Sequence, residues 1–306
     1  MKTFFRIFND KLYGLQMENI GFSSEDPSYI PDEYLEKEKF MVMRTCHGIG
    51  DWVLLSAMPR LLKNKYPNCK VYLPSKILLE KIFGNMLNNW GYGTFTASDV
   101  VKHIFENNPY VDEFVDSYND EIFHDHYKIF NPQNDRIPLL KQMLNFWQFK
   151  DNEMEDVTPD FYPTNDELEW FNNFNKFSSY GYISVSSTFG DTAKPNDMLK
   201  MIKDEHIQNW YFYSESNIED SIFNFIPNAV EIKPLSLSIR QQQLLKINAK
   251  VNYGNETGMN IWTAKYSDTY ILNNQFYGPV HGGKNEGKKR KRPFKTGNFV
   301  ERVVYV

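Results

Sequence analysis

The sequence predicts an α/β protein made of two successive domains, each a doubly wound parallel sheet, and three observations carry that prediction. Short apolar runs of strand length alternate with stretches of helical periodicity from Lys39 onward. The first clear unit, from Phe40 to Leu73, reads strand, glycine turn, helix, strand. The alternation then restarts after the segment 156–165, whose two prolines suit a crossover between domains.

The elements follow in order. Residues 1–36 form an irregular polar extension, with turn-rich stretches at Ser23–Pro27 and Ile30–Glu33. Phe40–Arg44 is a short apolar strand, and Gly48 and Gly50 mark the turn after it. Asp51–Tyr66 has apolar residues at 54, 55, 58, 61 and 62, the spacing of one helix face. Pro59 falls inside that helix and should bend it. A strand is expected at Lys70–Leu73, a helix at Lys76–Phe83, a strand at Glu113–Val115 and a helix at Leu139–Phe149. The first domain therefore spans 37–165, and the second, 166–306, opens with a helix at Asp166–Phe177. Its strands are expected at Gly181–Ser186, Trp210–Tyr213, Val230–Ile232, Lys250–Tyr253 and Thr269–Leu272. Its helices fill Asn196–Lys203, Ile218–Phe225, Ser238–Asn248 and Gly258–Lys265.

A chain of 306 residues, 41% hydrophobic and 24% charged, is long enough for two packed domains and is not disordered in composition. No stretch approaches the ~20 apolar residues that cross a bilayer, and Arg6 interrupts the apolar start, which makes a poor secretory signal. Cys46 and Cys69 alone provide no disulfide framework, so a cytoplasmic location with reduced thiols is expected. Charge is uneven. Seven cations between Lys284 and Lys295 against Glu286 give a local +6, which leaves about −11 on the rest of a chain whose total is −5. Such a basic tail, 284–295, suits an anionic ligand.

The chemistry-bearing residues gather in the loops after strands. Gly48 and Gly50 permit a sharp turn and a close approach of substrate. Asp51 beside them is poorly suited to phosphate but well suited to take a proton from a hydroxyl; a helix cap is the structural alternative. A dinucleotide fingerprint is excluded, because its third glycine would fall on Val53. In the second half, the N–H groups at the Gly258 helix start and the Thr257 hydroxyl could cradle a diphosphate, again with an ordinary cap as the alternative. Glu121, His124 and His126 could suggest a metal, but adjacent surface polar residues explain them more simply.

These segments resemble the heptosyltransferase family, glycosyltransferase family 9. The stretch from His47 to Pro67 is similar to the family's opening, where a Gly-Asp pair starts an apolar helix, a proline follows eight residues after the Asp, and a basic stretch ends in Tyr-Pro. Asn108–Val115 is similar to a segment leading into a first-domain strand. Val251–Ala264 resembles the nucleotide-sugar signature, with Glu256 and Thr257 standing for Asp and Ser, although the family's histidine falls on Ile261. Ser186–Pro195 resembles the segment that reaches donor phosphates, which makes Ser186, Thr188 and Lys194 candidates; a generic polar loop is the alternative. Gly278 and Pro279 match the turn after the last core strand, while the basic tail has no counterpart.

The resemblance implies a GT-B fold, two Rossmann-like domains facing a cleft. Here it would carry an N-terminal extension and a C-terminus too short for the usual long last helix. It implies metal-independent, inverting transfer of a sugar from a nucleotide-diphosphate donor to an acceptor hydroxyl, of a glycan or lipopolysaccharide type. Asp51 would be the base, and Gly48, Gly50, Ser186, Thr188, Lys194, Glu256, Thr257 and Gly258 would bind the nucleotide sugar, with no other cofactor and no metal. Two alternatives stay open. The basic tail could direct transfer to modified bases of a nucleic acid, or the chain could be a degenerate nucleotide-binding protein without catalysis.

Overall fold

The computed structural model describes residues 7–8, 11–12, 39–42, 49–83, 97–117, 123–124, 149, 158–184, 199, 202, 206–213, 225–226, 228–254, 258–263, 265–271 and 303–305. Within the extension, β1 (Ile7–Phe8) and β2 (Lys11–Leu12) pair antiparallel. Two larger sheets follow, and every pairing in both is parallel.

The first sheet holds β3 (Lys39–Met41), β4 (Lys70–Pro74), β5 (Glu113–Val115) and β6 (Phe123–His124) in the order β5-β4-β3-β6. The second holds β7 (Gly181–Ser184), β8 (Trp210–Tyr213), β9 (Ala229–Glu231), β10 (Val251–Gly254), β11 (Asp268–Ile271) and β12 (Val303–Tyr305). Its order is β12-β11-β10-β7-β8-β9, so β10 and β7 lie at the centre. Both are buried at every residue, as expected of strands covered on both faces. Their register pairs Ser184 with Gly254, which brings the carboxyl ends of the two central strands side by side.

The single bent helix expected over 51–66 is instead two helices, α1 (Ile49–Leu55) and α2 (Met58–Lys65). Pro59 is the second residue of α2; it has no N–H to donate to Leu55, and its ring would crowd that carbonyl. The break at Ser56 and Ala57 is sealed where Ser56 Oγ donates to the Val53 carbonyl at 2.6 Å. The expected helix at Lys76–Phe83 forms as α3 over those residues. Helix α4 (Ala97–Phe105) was not foreseen, although Val100, Val101, Ile104 and Phe105 bury one helical face.

Helix α5 (Asn165–Phe174) opens with a capping box in which Thr164 and Glu167 satisfy each other's backbone N–H. It stops short of the expected Phe177 because the Asn175 side chain bonds both the N–H and the carbonyl of Phe177, holding the backbone extended. Helix α6 (Ile239–Ile247) has an equivalent box between Ser238 and Gln241. Helix α7 (Gly258–Trp262) also ends early, where Thr263 Oγ1 donates to the Asn260 carbonyl and meets Thr269 Oγ1, both at 2.6 Å.

Strand β12 revises the reading of the C-terminus. Val303–Tyr305 extends the second sheet by pairing with β11, a role that three β-branched or aromatic residues fit and that the sequence reading did not assign. The helices expected at 139–149, 196–203 and 218–225 lie outside the described residues apart from Phe149, Leu199, Ile202 and Phe225. Leu199 and Ile202 are helical as expected. Among the described residues no helix is long and apolar enough to cross a membrane.

One hydrophobic cluster joins the two halves. It contains Phe40, Val71 and Leu73 of the first sheet, Trp52, Leu55 and Phe105 of its helices, and Leu244, Ile261 and Trp262 from the second half. Two smaller clusters pack on the second sheet, around Trp210 and Tyr253 and around Tyr180 and Tyr211.

Candidate active site

The two glycine turns singled out in the sequence, some 200 residues apart, touch backbone to backbone. A Cβ built on Gly258 would lie 2.5 Å from Gly50 N, 2.7 Å from Gly50 Cα and 2.9 Å from the Ile49 carbonyl carbon. No side chain fits at 258, and only glycine lets α7 approach α1 this closely. The reverse substitution is less demanding. A Cβ on Gly50 would meet Gly258 Cα at 3.6 Å and its N at 3.8 Å, which is ordinary contact. Along α1 and α7 the two halves therefore meet directly.

Asp51 is the third residue of α1, inside the first turn, because the helix starts at Ile49. The cap alternative assigned it the position before the helix, which it does not occupy. Its side chain lies outside the described residues, as do Gly48, Ser186, Thr188, Lys194, Glu256, Thr257 and the whole basic tail 284–295. What the structure fixes is their anchorage. Ser184 ends β7 two residues before Ser186, Gly254 ends β10 two residues before Glu256, and Gly258 starts α7 directly after Thr257. Both loops of the second half thus leave adjacent carboxyl ends of central strands, where ligands of open α/β sheets bind.

The suggested metal cluster is not assembled by the described residues. His124 is the last residue of β6, paired with Met41, while Glu121 and His126 lie outside the description. No group of three metal-ligating side chains gathers among the described residues.

A strap of residues that sequence reasoning passed over as a crossover holds the two halves together. The Asp160 carboxylate, 1% exposed, accepts from Arg60 Nε of α2 and from Lys265 Nζ of the second half, both at 2.8 Å. Its backbone N–H donates to Ser56 Oγ at 2.9 Å, and its carbonyl accepts from Trp262 Nε1 at 2.7 Å. Phe161 packs edge-on against the Trp262 ring at 5.1 Å. Burial raises the Tyr162 phenol, and the Asp160 charge adds to the rise, so Tyr162 stays neutral.

Arg240 of α6 forms a second tie. Its guanidinium grips Glu167 through Nε at 2.6 Å and Nη2 at 2.8 Å, and donates to the carbonyls of His103 and Tyr162, both at 2.7 Å. Burial would raise the Glu167 carboxyl, but the Arg240 hydrogen bond and the Thr164 N–H hold it below its ordinary range. The sequence signal for both ties was faint: a lone acid between Pro159 and Pro163, and a cation in the first turn of the helix expected at Ser238–Asn248.

Behind the meeting point lies a polar stripe on α6. Lys246 is 1% exposed and donates to Asn260 Oδ1 of α7, with its ammonium 4.9 Å above the Tyr182 ring. Burial pulls its pKa down to about 7. Asn260 is itself fully buried. Ile261, which stands where the family that the sequence resembles carries a histidine, is also fully buried, as part of the cluster that joins the halves.

No family model matches the chain, and no curated protein matches its sequence. In shape, however, it is similar to solved glycosyltransferases. Its structure superposes on a family 9 glycosyl transferase from Veillonella parvula with a TM-score of 0.50 and 10% identity, covering 86% of this chain and 93% of that one. The ADP-heptose lipopolysaccharide heptosyltransferase II of E. coli gives a TM-score of 0.44 at 14% identity, covering 76% and 84%. The E. coli heptosyltransferase WaaC with ADP gives 0.44 at 9% identity, covering 87% and 92%. At such identities the likeness to the Veillonella protein is one of fold: an α/β chain with parallel sheets, of the kind found in family 9 glycosyltransferases.

Proposed function

We propose that the chain is an inverting glycosyltransferase that moves a sugar from a nucleotide-diphosphate donor to an acceptor hydroxyl without a catalytic metal. The observation that carries this reading is the contact between Gly50 and Gly258. It brings the start of α1, where Asp51 lies in the chain, against the start of α7, which directly follows Thr257, and so supports a reading in which a proton acceptor from one half works with phosphate-binding groups from the other. A fold shared with a family 9 glycosyl transferase supports the same reading.

In this mechanism the acceptor hydroxyl oxygen attacks the anomeric carbon while its proton passes to the Asp51 carboxylate. The bond from that carbon to the diphosphate oxygen breaks on the opposite face, which inverts the configuration. The departing nucleoside diphosphate takes the electron pair. Ser186, Thr188, Lys194 and Thr257, with the backbone at Gly258, stabilise its growing charge, and Gly48 and Gly50 leave room for the sugar. Glu256 takes the place of an acid that holds the nucleotide part of the donor. The acceptor would lie on the 37–165 side of a cleft and the donor on the 166–306 side. A glycan or lipopolysaccharide-type acceptor is our reading of the substrate.

The test is a thermal-shift screen, without added metal, against ADP-, UDP-, GDP- and CDP-sugars. A selective rise identifies the donor by mass action. Asp51→Asn should then lower turnover by roughly 10²–10⁴-fold while donor binding is kept. No response to any nucleotide sugar would overturn the reading in favour of a chain that has lost catalysis.

A further inference from the structure

We propose that Lys246 is a positioning residue for the donor site, acting through Asn260 to set the height of the Gly258 turn above the central strands. The proposal rests on the glycosyltransferase reading for its consequence in turnover, but not for its structural part.

The geometry runs through a short chain of contacts. Lys246 near the end of α6 donates to Asn260 Oδ1, so the Asn260 amide nitrogen is turned the other way. That nitrogen reaches into the space a Cβ on Gly254 would fill, 2.5 Å from it, and the Ser184 carbonyl oxygen stands 2.1 Å from the same point. Asn260 is therefore wedged between a fixed donor on one side and the ends of β7 and β10 on the other. The Asn260 carbonyl is held as well, by Thr263 Oγ1 at 2.6 Å. Only Met259 separates this clamped residue from Gly258, whose backbone lies against Gly50. Any change in the pose of Asn260 must move the Gly258 turn, because α7 is a single short helical turn.

A structural role alone does not account for Lys246. An apolar side chain would fill the site without the desolvation that a buried amine suffers. No carboxylate pairs with Lys246 among the described residues, although Asp160, Glu167 and Glu106 pair with Arg60, Lys265 and Arg240 in this part of the fold. Gln243, one turn earlier on the same helix, is also fully buried, with both amide atoms unpartnered. This face of α6 carries polar groups where packing asks for leucine. A hydrogen-bond donor aimed at Asn260 is what Lys246 contributes.

The experiment compares Lys246→Met, which removes the donor and is one atom shorter, with Lys246→Gln, which is equally short but offers an N–H toward Asn260. Amide hydrogen exchange over 258–263 reports the position of the turn without any substrate, and calorimetric titration of the identified nucleotide sugar reports its consequence. We expect Lys246→Met to fold, to exchange at least tenfold faster over 258–263, and to bind donor at least tenfold more weakly. Its kcat at saturating donor should fall less than threefold, and Lys246→Gln should recover both exchange and affinity to within about threefold of the parent. Unchanged exchange in Lys246→Met overturns the proposal, and so does equal damage in both variants. If the parent binds no nucleotide sugar, the glycosyltransferase reading fails, while the exchange comparison still decides whether Lys246 sets the turn.

Discussion

Replacing Gly258 by alanine tests the meeting of the two halves most directly. The added carbon would lie 2.5 Å, 2.7 Å and 2.9 Å from three backbone atoms of Gly50 and Ile49, and none of these belongs to a side chain that could swing away. Ordinary carbon contacts begin near 3.5 Å, so α7 must retreat from α1 by roughly 1 Å. That retreat opens the packing of Trp262 and Ile261 against the first half. Strain of this kind costs about 1–3 kcal/mol, and the gain in helix propensity, at most about 1 kcal/mol, offsets only part of it. Gly50→Ala is the internal control. Its Cβ meets Gly258 atoms at 3.6 Å and 3.8 Å, and it should be neutral or slightly stabilising. Urea unfolding of the parent and both variants gives the comparison, read as midpoints at constant slope. We expect Gly258→Ala to lose about 2 kcal/mol relative to Gly50→Ala and to lose donor affinity as well. Equal stability of the two variants would refute the contact as described.

The remaining predictions concern the ties and the buried amine. Asp160→Asn leaves Arg60 and Lys265 facing a neutral amide in a buried place, and should lower unfolding stability by about 3 kcal/mol, measured by denaturant titration. Lys246 has its pKa pulled down from 10.5 to about 7, so between those values the unfolded chain binds the proton that the folded chain has released. Its contribution therefore rises as pH increases through that window, by as much as about 5 kcal/mol. Lys246→Met should remove that slope and be more stable than the parent at pH 7. A parent and variant with parallel stability profiles between pH 7 and 10 would show that the amine is hydrated rather than buried.

Much of this protein was legible in the sequence because parallel strands buried on both faces advertise themselves. Trp210–Tyr213, buried at its first three residues, was read at its observed limits, as was the less buried edge strand Glu113–Val115, and the alternation of strands and helices pointed to the two parallel sheets. Short segments failed for the opposite reason. Phe123–His124 and Val303–Tyr305 are too brief to show any periodicity, and they become strands only because an edge of each sheet was free to pair with them. Pro59 was visible, but that it divides the helix rather than bending it shows only in the structure, where the Ser56 hydroxyl takes up the Val53 carbonyl at the break.

The site divides along the same line. Sequence alone singled out both glycine turns, since a glycine beside an acid or a hydroxyl residue at a strand end is a local pattern. It could not say that Gly50 and Gly258 touch, because that contact spans the whole fold and depends on the absence of a side chain. Nor could it rank Asp160, Arg240 and Lys246 above the other charged residues. A charge in a sequence looks the same whether solvated or buried, and only packing decides which ones lose water and must find a partner within the protein.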